Sequence, residues 1–118
     1  MKTNVELIST RVYAGRLKDR ENLNNSSSGG AFTALSDFFL KNGNAVVAAI
    51  YNYENHTTEF QMILDKDQRE RAKGSKYMQS KPGGIFREAY RWLMDNSGKK
   101  MLFVGMGCQS DGFRKFSE

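Results

Sequence analysis

One cysteine, one proline and one histidine among 118 residues set the first limits on this chain. A single thiol, Cys108, forms no internal disulfide, which suits a reducing compartment. The lone histidine, His56, falls in a predicted turn with no metal-ligand spacing around it, so it reads as surface. No apolar run approaches the roughly 18 residues that a membrane span needs. The opening residues lack the apolar core of a secretory signal, so the expected location is the cytoplasm. Apolar residues make up only 39% of the chain, and the mean hydropathy is −0.63. A thin core follows, with a face suited to packing on something else. Eight Phe, five Tyr, one Trp and six Met nevertheless supply bulky core material, which argues against disorder. No internal repeat is present.

The net charge is +5, with an isoelectric point near 9.4. Such a balance marks either a solvated basic surface or a site for an anionic ligand. Nucleic acid is disfavoured, because the basic residues are dispersed and often stand beside acids, as in Lys66-Asp67, Arg69-Glu70 and Arg87-Glu88. No basic stripe with interleaved aromatics emerges.

Residues 1–11 form a polar segment, and 12–118 are expected to be one domain. Residues 12–17 read as a short first strand weakened by Gly15, and 18–25 as a charged loop. Ser26-Ser27-Ser28-Gly29-Gly30 then opens a helix, with the serines as candidate caps and Phe32, Leu35, Phe38 and Phe39 at helical spacing. Asn42-Gly43-Asn44 stops it. Residues 45–51 are apolar at every position but the last, which predicts a strand buried on both faces. A turn over 52–56 leads to an antiparallel return strand over 57–64. Residues 65–73 predict a charged helical segment, and 74–80 follow no clear period. Pro82 suits the start of a further helix whose stripe is Ile85, Phe86, Ala89, Tyr90, Leu93 and Met94. A strand over 101–104 and a helix from about Gln109 close the chain. This order predicts an α/β layered domain with a mixed, mainly parallel sheet flanked by helices.

Three stretches carry candidate chemistry. Residues 26–30 place hydroxyls and glycines at a helix N-terminus, where unpaired N–H groups and partial positive charge suit a phosphate. The same pattern also serves a plain helix cap. It is no Walker loop, for no Gly-Lys-Ser/Thr follows. Lys73-Gly74-Ser75-Lys76-Tyr77 offers two cations and a ring that could hold an anion and stack on a flat group; a solvated loop is the alternative. Leu102-Phe103-Val104-Gly105-Met106-Gly107-Cys108-Gln109 is a strand that delivers a cysteine to the loop before a helix, where binding crevices of open α/β sheets lie. Cys108 is a small hydrophobe, a nucleophile or a metal ligand on these grounds. Cys108 and Arg114 also share the Cys-x5-Arg spacing of cysteine-dependent phosphatases, although Asp111 within it would repel phosphate.

Taken together, 26–35, 74–80 and 102–109 resemble, in order and spacing, the coenzyme F420 hydrogenase/dehydrogenase beta subunit family, over its N-terminal domain. Members are flavoproteins that bind FAD and usually an iron–sulfur cluster, passing electrons to or from a deazaflavin or another acceptor. The resemblance therefore implies a flavin-dependent oxidoreductase. By position it implies cofactor contacts from Ser27, Ser28, Gly29, Gly30, Gly74, Ser75, Lys76, Tyr77 and Gln79. It implies that Cys108 is a ligand of a [4Fe–4S] cluster. Met106-Gly107 departs from the family's Thr-Pro before that cysteine, which leaves the loop less rigid. A four-iron cluster wants about four thiolates, and one is present.

The expectation is thus an N-terminal domain of a longer flavin and iron–sulfur enzyme. Alone it should neither hold the cluster nor turn over, and it could self-associate through an uncovered apolar face. In the intact protein, the partners would be the flavin nucleotide and a redox protein or deazaflavin. The alternatives are a non-catalytic binding domain that kept the fold and, more remotely, the Cys-x5-Arg phosphatase.

Overall fold

A computed structural model describes residues 11–74 and 80–118. The described helices are α1 (Arg20–Asn24), α2 (Ala31–Lys41), α3 (Lys66–Glu70), α4 (Ile85–Asp95) and α5 (Gly107–Ser117). The described strands are β1 (Ala45–Asn52), β2 (Thr57–Ile63), β3 (Ser80–Lys81) and β4 (Met101–Phe103). They form one sheet in the order β3-β2-β1-β4. The β1–β2 pair is antiparallel, whereas β1–β4 and β2–β3 are parallel. The expected α/β fold with a mixed, mainly parallel sheet is what the chain adopts.

Strand β1 is central, and its alternating residues sort the core into two layers. Val46, Ala48 and Ile50 join Ile63 and Ala72 beneath Phe32, Phe39 and Leu40 of α2. Val47 instead packs with Phe60, Ile85, Ala89 and Phe113, against α4 and α5. Val46, Val47 and Ile63 are fully buried, each contributing about 1.5–3 kcal/mol of transfer free energy. The antiparallel register, Val46 opposite Ile63 and Ala49 opposite Phe60, keeps both layers consistent.

Local signals set the boundaries. Gly43 takes φ +72° after α2, and Asn44 Oδ1 accepts the Lys100 N–H at 2.9 Å, which aligns the starts of β1 and β4. At α3, Asp65 Oδ1 accepts the Gln68 N–H at 2.8 Å while Gln68 Oε1 accepts the Leu64 N–H at 2.9 Å. That reciprocal arrangement stops the strand and starts the helix within two residues.

Four sequence expectations are revised. Residues 12–17 form no strand; Leu17 donates its N–H to the Gly29 carbonyl at 2.8 Å instead. The stretch expected as a loop over 18–25 contains α1, started by Asp19, whose side chain accepts the Asn22 N–H at 2.8 Å. The cap of α2 is Gly30, at φ +81°, and no serine. Finally, Leu35 and Phe38 of the expected stripe are exposed, while Thr33 and Ser36 of the same helix are buried. They turn inward onto polar partners: Arg69, itself 2% exposed, donates to Ser36 Oγ at 3.0 Å and to the Thr33 carbonyl at 3.1 Å, and Thr33 Oγ1 lies 2.7 Å from Ser26 Oγ.

Candidate functional site

Strand β4 is short, and its brevity creates the site. The last rung of the β1–β4 ladder joins the Val104 N–H to the Val47 carbonyl at 2.8 Å, after which Gly105 turns the chain into α5. A cavity of about 300 Å³ opens there. Its walls come from the start of α2 (Ser26, Ser27, Gly30, Phe32, Thr33), from Ala48, Ala49 and Phe60 of the sheet, from 72–74 and Ser80, and from the β4–α5 turn.

Gly105 sits in close quarters. A Cβ there would stand 3.1 Å from Gln109 Oε1, 3.1 Å from Phe103 and 3.2 Å from Phe60. Phe60 in turn stacks on Phe103 with ring centres 5.4 Å apart, and Phe103 stacks on Phe113 at 5.0 Å. The aromatic column fixes one wall of the cavity. At the turn, Gln109 Oε1 accepts the Met106 N–H at 2.9 Å, leaving the first amides of α5 without intrahelical partners.

Two helix starts, those of α2 and α5, border one cavity. Both bring partial positive charge, which suits an anionic or strongly polar ligand. Lys73 adds a cation whose side chain is 7% exposed and whose Nζ lies 3.0 Å from Glu70 Oε2. The serine hydroxyls divide their tasks. Ser26 Oγ donates to the Asn22 carbonyl at 2.5 Å and lies 2.7 Å from Thr33 Oγ1, tying α1 to α2.

Of the residues picked from sequence, Ser27, Gly30 and Gly74 line the cavity, while Ser28, Gly29 and Cys108 do not. Ser28 occupies a left-handed turn at φ +52°. At Gly29 a Cβ would stand 2.6 Å from the Gly15 carbonyl oxygen, so its bareness admits the N-terminal segment. Cys108 is exposed in the first turn of α5. Ser75, Lys76, Tyr77 and Gln79 lie outside the described residues. Sequence reasoning missed Ala48, Ala49 and Phe60 as cavity walls, and from the 102–109 stretch it picked Cys108 rather than Val104 and Gln109. The two adjacent alanines within a Val/Ile run were the available signal, since they leave room where larger residues would fill it.

The phosphatase reading does not survive. Cys108 to Arg114 run within the continuous helix α5, so they form no anion-binding loop. Arg114 Nη2 meets Asp111 Oδ1 at 2.5 Å on that helix.

A family model, the N-terminal part of the coenzyme F420 hydrogenase/dehydrogenase beta subunit, matches residues 12–83. The chain belongs to this family. Among solved structures, this chain is similar to a chain of the xenon-derivatised F420-reducing [NiFe] hydrogenase complex from Methanosarcina barkeri. The two share 25% identity with a TM-score of 0.69, over 85% of this chain and 34% of that one. This domain therefore spans about a third of that relative's length. A comparison with curated proteins found no match. The family match ends before β4, so the Cys108 turn lies beyond it. Among the described residues, no group of three or more His, Cys, Asp or Glu is placed to hold a metal ion, and no helix is long and apolar enough to cross a membrane.

Proposed function

We propose that this chain is the flavin-binding N-terminal domain, residues 12–118, of an FAD-dependent oxidoreductase. The observation that carries the reading is the joining of two helix starts and Lys73 around one cavity with an apolar sheet floor. These residues fit a flavin nucleotide: Ala48, Ala49, Phe60 and Val104 offer an apolar slot for a flat ring, and the helix amides offer donors to anionic oxygens. Bound flavin would supply hydride or single-electron transfer. The chain's own residues would bind and orient it and keep water from one side of the ring. Ser27 and Gly30 are assigned to the polar end, with Ser28 and Gly29 shaping that turn. Gly74 lines the cavity, and Ser75, Lys76, Tyr77 and Gln79 are assigned as further flavin contacts, Lys76 to pair with an anionic group and Tyr77 to stack.

A [4Fe–4S] cluster does not fit these residues by themselves. One thiol is present, so Cys108 would be a single ligand and the other thiolates would come from elsewhere. No step is routed through a cluster. We assign the redox partner, a protein or a deazaflavin, to the intact enzyme in the cytoplasm, and expect this chain alone to bind flavin without turnover.

Titration of the chain with FAD, followed by flavin absorbance and fluorescence, tests the assignment. Saturable binding, weakened about tenfold by Lys76→Ala through loss of a charge-assisted contact, is the expected result. Absence of binding overturns the flavin assignment and favours a binding domain that kept the fold without the cofactor.

A further inference from the structure

Backbone N–H and C=O groups alternate sides along a strand, so those of one residue point the way of the residue two positions on. On β1, the Ala45 N–H donates to the Lys100 carbonyl at 3.2 Å, and the Val47 carbonyl accepts the Val104 N–H at 2.8 Å. Odd-numbered residues of β1 therefore address the β4 side. The parallel register ends at Val47 opposite Phe103. The next rung would join the Ala49 N–H to the Val104 carbonyl, and the ladder stops before it. Ala49 and Val104 both line the cavity. A donor and acceptor on Ala49 and an acceptor on Val104 are thus left at its wall, with no strand beside them among the described residues.

Unpaired backbone groups of this kind need water or a ligand. On an outer sheet edge they would invite another strand. Here the edge is recessed between two helix starts, and Ala49 is the single residue of β1 on that edge that reaches the cavity. One rung is too short for an extended peptide and suits the edge of a ring. The methyl side chains of Ala48 and Ala49 leave the space that a ring would fill.

We propose that the open edge at Ala49 and Val104 reads the imide edge of a planar heterocycle and so sets which end of the ring enters first. A ring carbonyl would accept the Ala49 N–H, and the neighbouring ring N–H would donate to the Ala49 or Val104 carbonyl. The selected ligand class is a ring with a carbonyl beside an N–H, as in the pyrimidine-dione edge of flavins and deazaflavins. This deepens the flavin reading and rests on it. It makes backbone, rather than the motif side chains, the determinant of ring orientation.

The test compares FAD with N3-methyl-FAD and with 8-chloro-FAD, by fluorescence titration of the unmodified chain. N3-methylation removes the imide donor, so affinity should fall about tenfold or more, because a buried carbonyl is left unpaired. The 8-chloro analogue alters the far edge and should bind within about threefold of FAD. Equal binding of FAD and the N3-methyl analogue, or equal loss with both analogues, overturns this inference while the flavin assignment stands. Failure of FAD itself to bind overturns both.

Discussion

Arg69 holds a guanidinium, 3% exposed, between α2 and α3. Its Nη1 lies 2.7 Å from Asp37 Oδ1, and its Nη2 lies 3.1 Å from Glu70 Oε1. The two carboxylates are not equivalent, since Asp37 is 33% exposed and Glu70 is 49% exposed. Removing Asp37 leaves a buried charge undercompensated, whereas the ion pairs of Asp111 on α5, whose cations are exposed, are screened by water. Asp37→Ala is expected to destabilise the fold by about 2 kcal/mol, and Asp111→Ala by about 1 kcal/mol or less. Urea unfolding with unchanged slope for both variants checks the order; equal losses would contradict it. Nothing local marks Arg69 in the sequence. It stands in a run of charges that reads as solvated, and only the tertiary position of α2 buries it. Gly105 is the contrasting case, a glycine whose place between a strand and a cysteine is legible and whose cause, three close neighbours, is visible only in the fold.

At the level of elements, the apolar period located α2, β1, β2, α4, β4 and α5 to within a few residues. These are segments whose own packing decides their state. The period failed where a partner decides instead. Leu35 and Phe38 hold helical spacing yet face outward, because the buried side of α2 is given to Thr33, Ser36 and the arginine beneath them. Strand β3 escaped notice because two residues, Ser80 and Lys81, carry no period of their own and pair, among the described residues, with Thr58 and Glu59. Helix α5 offers a test of local energetics. Gly112 sits in its interior, where an added Cβ would rest 3.7 Å from the Phe86 ring, an ordinary contact. Gly112→Ala is expected to stabilise the chain by about 0.5–1 kcal/mol, through helix propensity and a less flexible unfolded state. A higher thermal midpoint confirms it, and a lower one would mean that Phe86 cannot accommodate the methyl.

On the scale of the whole molecule, the cavity joins residues that the sequence holds far apart, from Ser26 to Gln109. The motifs at its two ends were legible, because glycines and hydroxyls before a helix announce themselves. The sheet floor between them was not, since Ala48 and Ala49 differ from core residues only in size, and the missing rung beside them follows from where β4 stops. The central claim is that this floor and the two helix starts form one flavin site. Amide NMR of the chain titrated with FAD tests it most directly. Predicted shifts concentrate at residues 30–33, at Ala48 and Ala49, and at residues 104–109, while Arg91 and Met94 on the exposed side of α4 stay still. Shifts centred on α4, or none at all at saturating FAD, would contradict it.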